Sequence, residues 1–325
     1  MMGQLIFIAL LAVGGYLAYK RYLFVKRNIF MGRDVVIEGN ASDRWNTMFR
    51  VALGQGKMFT RPVAAIFHLF LYVGFVIINI EVVEIILDGV LGQHRLFHGI
   101  GGLYNLLIAA FEILAFLVMV GCVVFLIRRN VMKIARFHWR EMTKWPKSDA
   151  NIILITEIAL MSAFLKMNAA ESVLASRGVE HYVNLGTLPI SQWVVPFIDG
   201  YSDGALIAVE RFCWWFHIVG ILAFIVYLSY SKHLHILLAF PNTYYSKLNP
   251  AGQLSNMSNV TNEVKLMLDP SAQIVEDPMA PKKFGAKDVE DLTWVQLMNA
   301  YSCTECGRCT SVCPANQTGK LLSPR

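Results

Sequence analysis

The chain has 325 residues, 55% of them hydrophobic and 16% charged, with a formal net charge of +6. So much apolar sequence in long runs excludes a single soluble core and points to a membrane protein. The basic residues gather in two loops between apolar segments, so the positive charge is a topology signal and nucleic acid is not expected as a partner.

The first apolar run, 5–19, has no basic segment before it and no small-residue cleavage site after it, and is read as a retained first span rather than a signal peptide. Four more runs, 63–87, 103–127, 152–170 and 205–230, approach or exceed the roughly 20 helical residues needed to cross a hydrocarbon core. The connection 20–61 carries Lys20, Arg21, Lys26, Arg27, Arg33, Arg44, Arg50, Lys57 and Arg61, and 128–150 is similarly basic. By contrast 88–102 holds only Arg95, and 171–204 only Arg177. The positive-inside bias therefore predicts an inner-membrane protein with its N-terminus outside and its C-terminus in the cytoplasm. Pro189, Trp193, Pro196 and Phe197 suit a short interfacial helix or turn in the last outer loop.

From Asn242 the sequence turns polar, with Pro250, Pro270, Pro278 and Pro281 interrupting any long helix. Residues 241–287 are thus expected to be an irregular linker. Acids at the start of 288–301 and apolar residues at helical spacing predict a helix that delivers a cysteine cluster. The predicted organisation is a five-span membrane domain at 1–240, the linker, and a small soluble module at 288–325.

Four of the six cysteines fall within eleven residues, as Cys303-Thr-Glu-Cys306-Gly-Arg-Cys309-Thr-Ser-Val-Cys313-Pro314. This is the C-x2-C-x2-C-x3-C-P run of bacterial ferredoxins, in which the first three thiolates hold one 4Fe-4S cluster and the fourth serves a second. Cys303, Cys306 and Cys309 are thus assigned to one cluster and Cys313 to another. No second run occurs in these 325 residues. The module is therefore expected to be incomplete here, with the remaining ligands on missing sequence or on another polypeptide. A tetrahedral zinc site is the competing reading, but zinc sites usually pair C-x2-C knuckles. Cys122 and Cys213, inside apolar runs, read as core packing.

Ionisable groups inside a span are costly and usually functional. His68 lies near the inner end of the second span, His217 midway along the fifth, and His235 eighteen positions later with no Gly or Pro between 221 and 241. On one unbroken helix, eighteen residues are a whole number of turns, placing His217 and His235 on one face about 27 Å apart, room for two stacked haems. Matched depth pairs His68 with His235 at an inner haem. His217 needs an outer partner, for which His98 is preferred over His94. His233 points away from that face. Glu81, Glu84, Glu112, Glu157 and Lys166 could line a proton or quinone path, but such groups more often pair between helices or snorkel, and no chemistry is assigned to them. No catalytic residue is identified.

At these residues the chain resembles the cytochrome b of respiratory nitrate reductase gamma subunits, fused to a ferredoxin-like domain as in membrane-bound heterodisulfide-reductase-like iron-sulfur oxidoreductases. In that cytochrome the fifth span carries two haem histidines eighteen apart, matching His217 and His235, and the second span an inner ligand matching His68. Its outer ligand falls ten residues later, where this chain has Ile78, which leaves His98 or His94 to substitute. The stretch Ser231-Lys232-His233-Leu234-His235 leading to Pro241-Asn242 resembles the signature of the fused group.

The expected fold is an all-α membrane bundle of five transmembrane helices followed by a small α-rich, ferredoxin-like iron-sulfur module. The expected function is an oxidoreductase subunit moving electrons between membrane quinone and a cytoplasmic redox partner through one or two b haems and 4Fe-4S clusters, two in a complete domain. The resemblance implies the quinone chemistry and a cysteine-rich iron-sulfur or flavoprotein partner. The alternative is a haem-free membrane anchor that docks an iron-sulfur partner.

Overall fold

The structure, a computed structural model, describes residues 1–250, 252–253, 256–274, 283–322 and 324. Pro278 and Pro281 of the expected linker lie outside the described residues. In chain order the helices are α1 (Met2–Ile29), α2 (Ala41–Met48), α3 (Pro62–Leu91), α4 (Gly102–Asn130), α5 (Trp145–Ser176), α6 (Val195–Ile198), α7 (Asp203–Leu228), α8 (His235–Tyr244), α9 (Ser258–Leu268), α10 (Trp294–Tyr301), α11 (Arg308–Val312) and α12 (Pro314–Gln317). Five stretches are long and apolar enough to cross a membrane: α1, α3, α4, Arg140–Ser176 and α7. They coincide with the five predicted spans. The described residues contain no strand, only an isolated bridge between Arg33 and Thr293.

The chain divides into two compact units, residues 1–18, 58–231 and 305–325 in one and 19–57 and 232–304 in the other. In the first, α3 packs on α4, α4 on α5 and α5 on α7. Small residues let the backbones approach, as membrane helices require where lipid offers no hydrophobic drive. A Cβ on Gly74 would lie 2.5 Å from Val118, one on Gly121 2.5 Å from Leu71, and one on Gly220 2.6 Å from Leu160. Phe7 of α1 lies over Gly89 and against Trp214, ring centroids 5.4 Å apart. Cys122 and Cys213 are buried in this core. The loop between α5 and α7 folds as the short helical turn Ser191–Trp193 followed by α6.

The fifth span ends at Leu228, close to its predicted end, but the helix does not run on unbroken to His235 as its lack of Gly and Pro suggested. At Leu228 the α-helical ladder gives way to tighter bonds, Tyr230 N–H to Tyr227 C=O at 2.9 Å and Ser231 N–H to Leu228 C=O at 3.2 Å. The Ser229 hydroxyl donates to Val226 C=O at 2.8 Å, the local serine competition that loosens a helix end. A 3-10 turn, Lys232–Leu234, precedes α8. His217 and His235 therefore lie on different helices, α7 and α8, and not on the one unbroken helix from which their shared face was reckoned.

In the second unit the basic segment 20–57 is a scaffold for α8 and α10. Arg33 N–H donates to Leu292 C=O at 2.9 Å, and Trp294 N–H donates to Arg33 C=O at 3.1 Å. Gly32 sits so close that a Cβ would lie 2.5 Å from the Trp294 nitrogen. Trp294 stacks on Phe30 and meets Tyr245 edge-on, and Asn28 donates to the Tyr301 hydroxyl at 2.8 Å. Buried Arg44 donates to the carbonyls of Tyr244 and Ser246, satisfying the end of α8. The helix expected at 288–301 is two pieces: a 3-10 turn Val289–Asp291, then α10, whose Thr293 and Gln296 form a reciprocal capping box. The stretch read as irregular linker contains α9.

Candidate functional site

The cysteine run straddles the division between the units, Cys303 falling in the second and Cys306, Cys309 and Cys313 in the first. Cys303 follows α10, its N–H donating to Ala300 C=O at 3.3 Å, and is exposed. After it the backbone enters the left-handed region at Glu305 (φ 48°) and Gly307 (φ 68°), a sharp reversal that starts α11. Cys309 sits exposed in the first turn of α11, and Cys313 caps α12 by accepting Gln317 N–H at 3.0 Å. None of the six cysteines is in a disulfide. Among the described residues no three His, Cys, Asp or Glu side chains yet converge on one point. The run displays its cysteines around a turn rather than in a closed cage. The donor chemistry nonetheless fits a cubane cluster: thiols at ferredoxin spacing on a turn held by positive φ, with Cys306 in electrostatic reach of Arg129 and Arg136, whose buried guanidinium N–H groups include some with no acceptor.

The histidines are placed as follows. His217 is 1% exposed, within the bundle; its Nδ1–H donates to Leu160 C=O at 3.0 Å and its ring lies 6.1 Å from Phe164. His235, half-buried at the start of α8, donates from Nδ1 to Lys232 C=O at 2.8 Å. Because a carbonyl only accepts, both rings carry their proton on Nδ1 and leave Nε2 as a lone-pair donor. That is the arrangement a metal-ligating histidine uses. Burial pushes the His235 imidazole below the usual histidine range, its bond to Lys232 opposing in part, which favours the neutral, ligating form. His68 is half-buried in α3. His98 is half-buried in the turn Leu96–Ile100, its ring edge-on to Tyr104 at 5.9 Å. These contacts do not bring His98 and His217 together. Ile78 is buried in the hydrophobic core.

The structure gathers Glu81, Glu84 and Glu112, named in the sequence only as groups that could pair between helices, into a polar cluster around Arg95, which sequence reasoning passed over. Arg95, counted only as a lone charge in a short loop, is 5% exposed. It donates to Glu81 Oε1 at 2.9 Å, to Glu171 Oε2 at 2.7 Å and to Asn168 Oδ1 at 2.8 Å. Its own backbone, at φ 55°, is held by Asp88, which accepts the Arg95 and Leu96 N–H groups at 2.8 and 3.0 Å. Glu84 accepts from Phe97 N–H and the Tyr104 hydroxyl, both at 2.8 Å, and His94 bonds Glu171 at 3.0 Å. Glu112 accepts Asn168 and the N–H groups of Ile190 and Ser191. Burial alone would lower the Arg95 pKa, but Glu171, Tyr104 and Glu81 outweigh it and raise it well above the ordinary value. The arginine thus stays charged and ties α3, α5 and the loop into one polar joint. The readable signal was the spacing of Glu81, Glu84 and Asp88 at i, i+3 and i+7, one face of a helix.

Comparison with known proteins agrees with the cysteine chemistry. Residues 294–315, which include all four cysteines of the run, match the family described as 4Fe-4S binding domain. The chain is 26% identical over 320 residues to the "Probable iron-sulfur-binding oxidoreductase FadF" of Bacillus subtilis (strain 168), covering 98% of this chain and 41% of that protein. It is 24% identical over 283 residues to the "EtfAB:quinone oxidoreductase" of Syntrophomonas wolfei, covering 85% of this chain and 35% of that one. A 51-residue stretch, 16% of this chain and 7% of the other, is 41% identical to the "Probable membrane-anchored ferredoxin" of Chromohalobacter salexigens. The chain thus spans well under half the length of these relatives. No solved structure matches it. Among the described residues it is all-helical, with five helices long and apolar enough to cross a membrane, and it carries a segment that matches the 4Fe-4S binding family within a chain similar over most of its length to proteins named as oxidoreductases.

Proposed function

We propose that the chain is the membrane electron-transfer part of a quinone-linked iron-sulfur oxidoreductase, moving electrons between membrane quinone and a cytoplasmic redox partner. The observation that carries this reading is the unbroken C-x2-C-x2-C-x3-C-P run following five apolar spans. Its overlap with the 4Fe-4S binding family and the quinone in the name of the Syntrophomonas wolfei relative support it. In this reading Cys303, Cys306 and Cys309 hold one 4Fe-4S cluster and Cys313 contributes to a second. The N-terminus is outside and the run lies on the cytoplasmic side, where a cysteine-rich or flavin-containing partner docks.

Within the bundle, His217, and at the start of α8 His235, are the groups best suited to hold b haem, with His68 the inner partner and His98 the outer one. Haem so bound supplies one-electron redox chemistry in a low-dielectric setting. The protein's own part is to fix each ring: Leu160 C=O sets the His217 tautomer and Lys232 C=O that of His235.

A second reading, a haem-free anchor that docks the iron-sulfur partner, is favoured by two observations. Ile78 fills the core at the family's outer-ligand position, and α7 ends before His235. A reduced-minus-oxidised spectrum of the purified protein separates the two. The haem reading predicts a b-type α band that shrinks in the His68→Leu, His217→Leu and His235→Leu variants. A wild-type protein with no such band belongs to the anchor.

A further inference from the structure

The loop between α4 and α5 and the segment from Glu305 onward belong to one compact unit, and α11 packs against the short turn Ala135–Phe137 of that loop. Gly307, between Cys306 and Arg308, makes the seam. At φ 68° it adopts a backbone that other residues rarely tolerate, and a Cβ there would lie 2.8 Å from the Arg136 carbonyl oxygen and 3.6 Å from Met142 Cγ and Sδ. Met142 is itself buried. The glycine therefore lets the cysteine turn sit directly on the loop.

Around this seam the charge balance is unusual. Nε and Nη1 of Arg136, Nε of Arg308 and Nε of Arg129 are buried without an acceptor. Arg136 lies within electrostatic reach of Arg308, Arg61 and Arg128, all repelling it, and of Cys306. Arg129 lies within electrostatic reach of Glu305, Asp149 and Cys306, and its Nη2 is already spent on Pro146 C=O at 2.8 Å. The guanidinium carbons of Arg129 and Arg136 lie 4.9 and 4.6 Å from the centroid of the Phe137 ring, whose face attracts a cation but accepts no strong hydrogen bond. Buried donors without acceptors cost free energy, and crowded like charges add to the cost. Sulfur atoms of an anionic cluster would offset both.

We propose that Arg136, with Arg308 and Arg129, forms the cationic cradle of the cluster that Cys306 and Cys309 help to hold, and keeps its reduction potential raised. This rests on the iron-sulfur reading above. Reduction adds one electron to an already negative centre, and no bond is made or broken in the protein. Arginine keeps its proton throughout, so its fixed positive charge and N–H···S bonds favour the reduced cluster over the oxidised one. The α4–α5 loop is then part of the redox site, with Arg136 a positioning and tuning residue rather than a ligand.

The test is a redox titration of the intact protein, with the cluster followed by electron paramagnetic resonance, for wild type, Arg136→Gln and Arg136→Lys. The expected result is full iron content in all three, a midpoint shifted downward in Arg136→Gln, and a smaller shift in Arg136→Lys. An unshifted midpoint in an iron-replete Arg136→Gln protein overturns the proposal and leaves the iron-sulfur reading intact. Should Arg136→Gln fail to fold, Arg308→Gln is titrated in its place, with the same downward shift expected and the same null result overturning it. A wild-type protein without iron overturns the underlying reading instead.

Discussion

Replacing Arg95 with methionine will destabilise the bundle by about 3–5 kcal/mol, the cost of removing one partner from a buried ion pair and leaving the other uncompensated. Arg95 bridges Glu81 on α3 and Glu171 on α5, both 2% exposed or less, and also satisfies Asn168. Without it Glu171 keeps, among the described residues, only the bond to His94. Arg95→Lys retains the charge but not the planar fork that reaches Glu81, Glu171 and Asn168 together, so it will fall between wild type and Arg95→Met. Denaturant unfolding in detergent measures all three. Combining Arg95→Met with Glu171→Gln will recover part of the loss, because the stranded carboxylate is then gone. Full additivity of the two substitutions would refute the pairing account.

The second large effect concerns which cysteine serves which cluster. In the ferredoxin arrangement the first three cysteines of a run share one cluster and the fourth reaches another. Cys306→Ser and Cys309→Ser will therefore abolish one and the same cluster signal in the intact protein, while Cys313→Ser will abolish a different one. Both losses will appear as iron missing from the purified protein and as separable components in the spectrum of the reduced state. Loss of the same component in all three variants would mean that the four cysteines act as one site.

What could be read from the chain alone followed the range of the interactions involved. The five apolar spans were legible because crossing a hydrocarbon core depends on composition over a long window, to which single residues contribute little. The cysteine run was legible because its spacing is local and chemically specific. The break between α7 and His235 was not, since no Gly or Pro marks it and it is made by the hydrogen bonding of Ser229 and the turn behind it. The role of the basic segment 20–57 was hidden for a different reason. Its arginines announced topology, but the pairing of Gly32 and Arg33 with Trp294 and Leu292 spans some 260 positions of sequence, which no local pattern encodes. Arg95 shows both limits, a single charge in a short loop whose partners come from α3 and α5.

The central claim is that this membrane chain carries electrons through iron held by its C-terminal thiolates. Its most direct test is the iron and acid-labile sulfide content of the purified intact protein, taken with its paramagnetic resonance spectrum before and after reduction. The account predicts iron and sulfide in equal amounts and a signal that appears on one-electron reduction. Zinc in place of iron, with no sulfide and no signal on reduction, would contradict it.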